Sequence, residues 1–189
     1  MKINFLSIEG IGIALNGMRL SYNSKSNTSL YLNNKFELDD RDLKLAYKLI
    51  KEGNSASKFT RFIIAYLEIE APRYWWQQFD TYRIGVERLS ESTMHTILKN
   101  HLTQSNFEGH VPDNWIKELN KYIDEKKFYV VKNLLPESFL QKRFVMASYQ
   151  ALRHIYFDRR NHKLNEWKQF CRYLEQDLPF SKFVVISDK

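Results

Sequence analysis

The sequence predicts an α+β domain, because strand patterns and long helical patterns both occur within its 189 residues. A β-branched and aromatic run from Phe59 to Glu70, bounded by polar residues, is typical of a buried strand. Lys2 to Ile8 alternates apolar and polar residues, which predicts a further strand. From Glu137 to Asp158, apolar residues recur at helical spacing and predict a long helix. The length suits one domain, residues 1–189.

Further helices are predicted where a turn or a capping residue precedes an apolar stripe. They are Ile13–Leu20, a helix from Asp39 or Asp40 to Gly53, a helix from Asp113 through Ile123, and Leu164–Gln176. Residues 21–35 are rich in Ser and Asn and predict a loop. The C-terminal tail, residues 180–189, is apolar enough up to Ile186 to form a strand or a docked arm. Residues 96–111 show no clear period.

The charge pattern favours small anionic partners. The formal net charge is +7, but basic residues are spread among acidic ones, as in residues 39–42, so we favour a phosphate pocket over a nucleic-acid surface. His95 and His162 lack the spacing of a metal site. The single cysteine, Cys171, lies in a helical stretch, where a small buried thiol is expected, and no apolar run is long enough to span a membrane. We therefore expect a cytoplasmic protein.

The stretch from Ala71 to His95 combines aromatic, basic and hydroxyl side chains. Pro72 is well placed to begin a helix, because the N–H that it lacks is unpaired at that position in any case. Four aromatic residues are candidates to stack on a planar ligand. They are Trp75, Trp76, Phe79 and Tyr82. Aromatic residues at helical spacing more often form a core or a subunit interface, and we favour that interpretation.

The order of strand, Ala71-Pro72, aromatic helix, arginine and Ser-rich loop resembles the flavin-dependent thymidylate synthases. In that family the helix runs into the signature RHRxxSxxxxSxR. With the two Ala-Pro pairs superposed, Arg83 takes the position of the last Arg in the RHR triplet. Thr81 and Tyr82 take the other two positions. The resemblance implies an α+β fold with a mixed or antiparallel sheet flanked by long helices.

The serines of the signature match less directly. Val86 takes the position of the first Ser. The second is Ser90 after a one-residue deletion, or Ser92 after a one-residue insertion. Hydroxyl and backbone N–H groups here are candidates to bind a phosphate. Equally, Ser90, Ser92 and Thr93 are candidates for the N-cap of a following helix.

Two further matches lie in the second half of the chain. In the family a Leu-Pro pair precedes an Arg that contacts the nucleotide phosphate from a neighbouring subunit, and Leu135-Pro136 with Arg143 resembles this arrangement. Residues 158–162, followed by residues 164–167, resemble the segment that carries an Arg near the pyrimidine, which makes Arg159 its counterpart.

The resemblance implies two groups of site residues. Those implied for a pyrimidine nucleotide are Arg83, Ser90, Ser92, Arg143 and Arg159. Those implied for FAD are Asn54, Ser55, Tyr82, Asn161 and His162, with Asn54 following Gly53 where the family has a flavin-contacting His. A guanidinium suits a phosphate or a carbonyl-imide edge because its hydrogen bonds are bidentate and permanently charged. The alternative is that each arginine is an ordinary surface ion-pair partner.

Three functions follow from the resemblance. The first is a divergent flavin-dependent enzyme that binds a dUMP-like nucleotide between the subunits of a homotetramer and methylates or otherwise modifies it, with FAD, NADPH and methylenetetrahydrofolate. The second is a catalytically inactive nucleotide-binding phage protein that sequesters a nucleotide or regulates a pool. The third is a nucleic-acid-binding module. The chain also resembles short phage and prophage proteins with Trp-Trp, Phe-Asp-Thr-Tyr and Ser-Thr-Met-His elements, which implies the host cell cytoplasm.

Overall fold

The computed structural model describes residues 1–24, 29–30 and 36–187. Its main sheet has four strands in the order β1-β4-β6-β5, and every neighbouring pair is antiparallel. These strands are β1 (Lys2–Glu9), β4 (Ile64–Pro72), β5 (Val86–Ser90) and β6 (Leu140–Ser148). Two short strands, β2 (Ser29–Leu30) and β3 (Phe36–Glu37), pair separately. The α+β prediction is confirmed, and of the two predicted sheet types the antiparallel one is found.

The described α-helices lie between and after these strands along the chain. They are α1 (Ile11–Leu20), α2 (Asp40–Lys51), α3 (Arg73–Phe79), α4 (Thr93–Thr96), α5 (Asp113–Asp124), α6 (Phe128–Leu134), α7 (Tyr149–Arg159), α8 (Asn165–Gln176) and α9 (Lys182–Val185). The caps predicted for α2 are confirmed. The Asp39 carboxylate accepts the backbone N–H of Arg41 at 2.8 Å, and Gly53 has a left-handed φ of 95° just after the helix.

The long helix predicted from Glu137 to Asp158 is wrong in its first half. Leu140–Ser148 is strand β6, which lies between β4 and β5, and helix α7 begins only at Tyr149. Val145 and Ala147 are buried, whereas Met146 between them is only half-buried and Phe144 before them is 49% exposed, which is the alternation of a strand. The helical spacing was therefore coincidental. The partner strands decided the outcome, because β4 and β5 need hydrogen-bond partners for their backbone groups.

Other boundaries also differ from the prediction. The strand expected from Phe59 begins at Ile64, because residues 58–61 form a 3-10 turn. The segment expected to be a Ser-rich loop contains strand β5. The tail forms helix α9, whose Phe183 and Val184 are fully buried, so it is docked but is not a strand. Much of the predicted loop, together with residues 188–189, lies outside the described residues.

The buried apolar side chains of the described residues form two clusters. The larger cluster lies between the sheet and helices α1, α2, α3, α7, α8 and α9. The smaller one is built by residues 97–135, which include the segment without a clear period. Its members are Ile97, Leu102, Phe107, Val111, Ile116, Leu119, Ile123, Val131 and Leu135. The larger cluster holds the aromatic helix α3 in place, and the candidate site is built around the end of that helix.

Candidate functional site

Helix α3 supplies the aromatic centre of the core. Its side chains Trp75, Trp76 and Phe79 are fully buried. The Trp75 ring lies 4.8 Å from the ring of Trp167 and 5.6 Å from that of Phe170, both on α8. These contacts confirm the core interpretation for the three residues, since rings enclosed by their own chain are not available to stack on a ligand.

Arg143, on β6, lies against this aromatic core. Its Nη1 is 2.9 and 3.1 Å from the two carboxylate oxygens of Asp80, and its Nη2 donates to Gln141 at 3.2 Å. The guanidinium carbon is 4.3 Å from the centre of the Trp76 ring. Arg143 is thus held by an ion pair and by a cation–π contact within the chain.

Arg88, on β5, lies beside Arg143, although no sequence motif indicates it. Its Nε lies 3.3 Å from Asp80, so one carboxylate holds two guanidiniums. Arg88 pairs with Val145 across the sheet, and Arg143 pairs with Ile69, so both arginines stand on the side of the sheet that faces α3. The alternation of β5 would have indicated this, but the segment was predicted to be a loop.

Tyr82 and Arg159 form a second polar group beside α3. The Tyr82 hydroxyl accepts from Arg159 Nε at 2.8 Å and donates to Asp158 at 3.3 Å. The Arg159 guanidinium lies over the rings of Trp167, at 4.8 Å, and Tyr82, at 5.4 Å. Burial raises the pKa of Tyr82 and Arg159 lowers it to a smaller extent, so the phenol remains protonated at neutral pH.

A cavity of about 710 Å³ opens next to Tyr82. Its lining comes from the loop after α3, from one face of α7 and from the turn after α2. The lining residues are Asn54, Thr81, Tyr82, Arg83, Ile84, Ala151, Arg153, His154, Phe157 and Asp158. Arg83 is exposed, and within residues 1–24, 29–30 and 36–187 its side chain has no hydrogen bond or ion pair. The cavity therefore offers a guanidinium that a ligand can bind without displacing a protein partner.

Gly85 fixes the loop that carries Arg83. Its φ is +71°, and an added Cβ would lie 2.7 Å from the Ser148 hydroxyl oxygen. That oxygen caps α7 by accepting the backbone N–H of Ala151 at 3.1 Å. Glycine adopts this conformation without strain and has no Cβ to meet the Ser148 hydroxyl. The Arg83 loop can therefore lie close to the start of α7 at this point.

The structure separates several of the predicted site residues. The cavity brings together Asn54, Tyr82 and Arg83, whereas Arg143 and Arg159 lie beside α3 without lining it. Ser90 ends β5 and Ser92 precedes α4, and both are exposed and outside the cavity lining. Ser92 occupies the N-cap position of α4, although its side chain makes no capping hydrogen bond.

The other residues implied for FAD also lie outside the cavity lining. Ser55 lines a separate, mainly apolar groove of about 1010 Å³ along α1. Asn161 is exposed. The Nδ1 atom of His162 accepts the backbone N–H of Leu164 at 3.2 Å, and burial together with the nearby Arg159 lowers the pKa of His162. His162 is therefore neutral at neutral pH, with its proton on Nε2.

The part of the chain that the structure describes contains neither a metal-binding cluster nor a helix that could span a membrane. No group of three or more His, Cys, Asp or Glu side chains in that part of the chain is arranged to hold a metal ion. None of the described helices is both long and apolar enough to cross a membrane. Cys171 is buried, which raises the pKa of its thiol to about 12 and makes it a poor nucleophile.

Two solved structures resemble the chain over nearly all of its length. Flavin-dependent thymidylate synthase ThyX from Helicobacter pylori, in complex with FAD and dUMP, superposes with a TM-score of 0.77 at 16% identity, covering 100% of both chains. A second Helicobacter pylori ThyX structure with FAD and dUMP gives 0.75 at 17% identity, covering 96% of this chain and 95% of the other. No protein-family model and no curated protein matches the sequence. The resemblance inferred from the motifs is thus confirmed at the level of the fold, and this chain has the fold of the flavin-dependent thymidylate synthases.

Proposed function

We propose that this protein binds a pyrimidine nucleotide of the dUMP type, as a divergent relative of the flavin-dependent thymidylate synthases. The observation that carries the proposal is the unpaired Arg83 at a cavity of about 710 Å³. Arg83 is also the residue that aligns with the last Arg of the family signature. A full-length match to two structures that contain dUMP and FAD supports the same ligand class.

The lining of the cavity fits an anionic ligand that carries a planar ring. Arg83 provides a permanent positive charge for a phosphate. Tyr82 and Phe157 provide half-buried aromatic surface, and Asn54 provides an amide. Both dUMP and FAD have a ring and a phosphate, so the residues fit either one. If FAD is bound, Tyr82, Arg83 and Asn54 are the residues that would hold it, and the flavin would supply hydride transfer.

We further propose that the complete site forms between subunits of a homotetramer. Ile84 lines the cavity with 94% of its surface exposed, and Leu89 on the following strand is 75% exposed. Large apolar side chains that are exposed to this extent are typical of a surface that a partner covers. In such an assembly, Arg143 and Arg159 of another copy are candidates to complete the phosphate and pyrimidine contacts.

A catalytically silent nucleotide-binding protein is the second candidate. Tyr82 stands in the middle of the signature triplet in place of His, and its hydroxyl is already engaged by Arg159 and Asp158. Asn54 stands where the family has its flavin-contacting His. These replacements affect the flavin side of the site more than the nucleotide side, and they favour nucleotide binding without turnover as the alternative.

Absorbance and thermal stability separate these candidates. An enzyme is expected to show flavin absorbance bands, as purified or after incubation with FAD, and to melt at a higher temperature with dUMP. A silent nucleotide-binding protein is expected to remain colourless and still to be stabilised by dUMP. A protein that no mononucleotide stabilises would contradict the proposal and would favour the nucleic-acid-binding module. Size-exclusion chromatography with light scattering tests the homotetramer.

A further inference from the structure

Three polar side chains form a chain of hydrogen bonds behind one wall of the cavity. Arg61 Nε donates to Gln150 Oε1 at 2.9 Å. Gln150 Nε2 then donates to Asn54 Oδ1 at 3.0 Å. Gln150 is only 6% exposed and lies in the first turn of α7. Asn54 is exposed and lines the cavity.

The chemistry of the first residue fixes the orientation of the other two. An arginine side chain only donates hydrogen bonds, so Gln150 must turn its oxygen towards Arg61. The NH2 group of Gln150 must then point towards Asn54, and the side-chain oxygen of Asn54 must accept its hydrogen bond. The NH2 group of Asn54 is left over, and it has no acceptor within the described part of the chain. The buried position of Gln150 keeps water from relaxing this arrangement.

We propose that Asn54 is a specificity-determining residue that presents N–H donors to the cavity, and that Gln150 and Arg61 are positioning residues that set this polarity. The inference rests on the proposed function of the cavity. If the NH2 group of Asn54 faces the cavity, this wall favours a ligand that presents an acceptor oxygen, either a carbonyl or a phosphate oxygen. Arg83 adds further donors to the same cavity, so a ligand group that itself only donates is disfavoured beside Asn54 and Arg83, whereas the Asp158 carboxylate of the lining already accepts from Tyr82.

Two single-atom changes test the polarity by calorimetric titration with dUMP. Asn54→Asp keeps the bond from Gln150 but replaces the free NH2 with an oxygen, and we expect binding at least tenfold weaker. Gln150→Glu turns a carboxylate oxygen towards Asn54, which must then rotate its NH2 away from the cavity and present its oxygen. We expect a similar loss, although Gln150 is behind the wall. Asn100→Asp, exposed and outside the cavity lining, controls for the added charge and should bind dUMP as the wild type does.

Hydrogen exchange of the side-chain amides, measured by NMR without ligand, tests the hydrogen-bond relay from Arg61 through Gln150 to Asn54 separately from nucleotide binding. In the wild type, the NH2 protons of Gln150 should be protected and those of Asn54 should exchange rapidly. In Gln150→Glu the Asn54 protons should become protected. Equal protection of both amides in the wild type would overturn the inference, as would wild-type dUMP affinity in both variants. Absence of dUMP binding to the wild type, with the expected exchange pattern, would instead contradict the proposed function and leave the polarity of the wall established.

Discussion

The arginines beside α3 and the arginine at the cavity differ in how their charges are satisfied. Arg143 and Arg88 share the carboxylate of Asp80, and Arg159 binds Tyr82 while lying over Trp167. Arg83 has none of these contacts, although it lies only one residue from Tyr82. The guanidiniums of Arg88, Arg143 and Arg159 therefore stabilise the fold through contacts within the chain, whereas that of Arg83 is available to bind a ligand.

The number of arginines near a site is therefore a poor guide to its affinity for anions. A ligand phosphate that binds Arg143 must first displace a carboxylate that is 2.9 Å away. A phosphate that binds Arg83 displaces only water. Arg143 therefore combines a structural role with any role in binding, and the two roles can be separated by experiment.

The largest effect is expected for Arg143→Ala. The side chain of Arg143 is 12% exposed, but its partner Asp80 is 42% exposed and keeps Arg88, so the loss is smaller than for a fully buried ion pair. We expect the free energy of unfolding to fall by about 2 kcal/mol, through the lost ion pair and the lost cation–π contact with Trp76. Urea denaturation measures this change.

Arg143→Lys is the matched variant. It keeps the charge but loses the planar group over Trp76, so we expect about half of the destabilisation. Because the resemblance assigns Arg143 to the nucleotide phosphate, Arg143→Ala should also weaken dUMP binding, by about 1–3 kcal/mol, without dissociating the oligomer. Wild-type stability in Arg143→Ala would show that the ion pair with Asp80 contributes nothing.

A smaller effect, on binding alone, is expected for Arg83→Ala. Loss of one charge-assisted contact to phosphate should raise the dissociation constant for dUMP about tenfold, which corresponds to about 1.4 kcal/mol. The midpoint of urea unfolding should not change, since no described residue pairs with this side chain. Arg172→Ala, another exposed arginine outside the cavity, is the control and should leave both quantities unchanged. If Arg83→Ala unfolded at a lower urea concentration, Arg83 would also stabilise the fold, and the distinction from the arginines beside α3 would be wrong.

The smallest effect is expected for Asp80→Asn. Neutralising this carboxylate releases Arg88 and Arg143 from their shared partner. If Arg143 reaches a bound phosphate, dUMP affinity should rise about threefold, within the range of a partly exposed ion pair. Calorimetric titration measures this gain. An unchanged affinity would assign Arg143 to structure alone.

The pattern of apolar residues predicted most of the outer elements of the fold but not the centre of the sheet. Helices α1, α2, α5 and α8 follow from local turns and apolar stripes, and α2 also from its Asp39 cap, which are properties of neighbouring residues. Strand β6 does not, because Leu140, Phe144 and Ala147 also fit a helix. Its conformation is set by β4 and β5, whose sequences are distant in the chain and whose hydrogen bonds it completes.

The site shows the same limit. Arg83, Arg143 and Arg159 were predicted because each occupies a position in a family motif, and the structure brings Arg143 to Trp76 and Arg159 to Gln78 of the same helix α3. Arg88 belongs to no motif, and the relay through Gln150 joins residues that are 96 positions apart. Contacts of this kind depend on which strands pair and on where α7 begins, so they cannot be predicted from the spacing of neighbouring residues.

The fold class, the aromatic core of α3 and the arginines at the positions of family motifs could all be predicted from the sequence, because they depend on side-chain chemistry and short-range spacing. The tertiary structure alone decided that residues 140–148 form a strand, that Asp80 holds two arginines, and that Arg83 remains free. The physical reason is that hydrogen bonds and ion pairs are completed by groups far apart in the chain, so their partners are fixed only when the sheet is assembled.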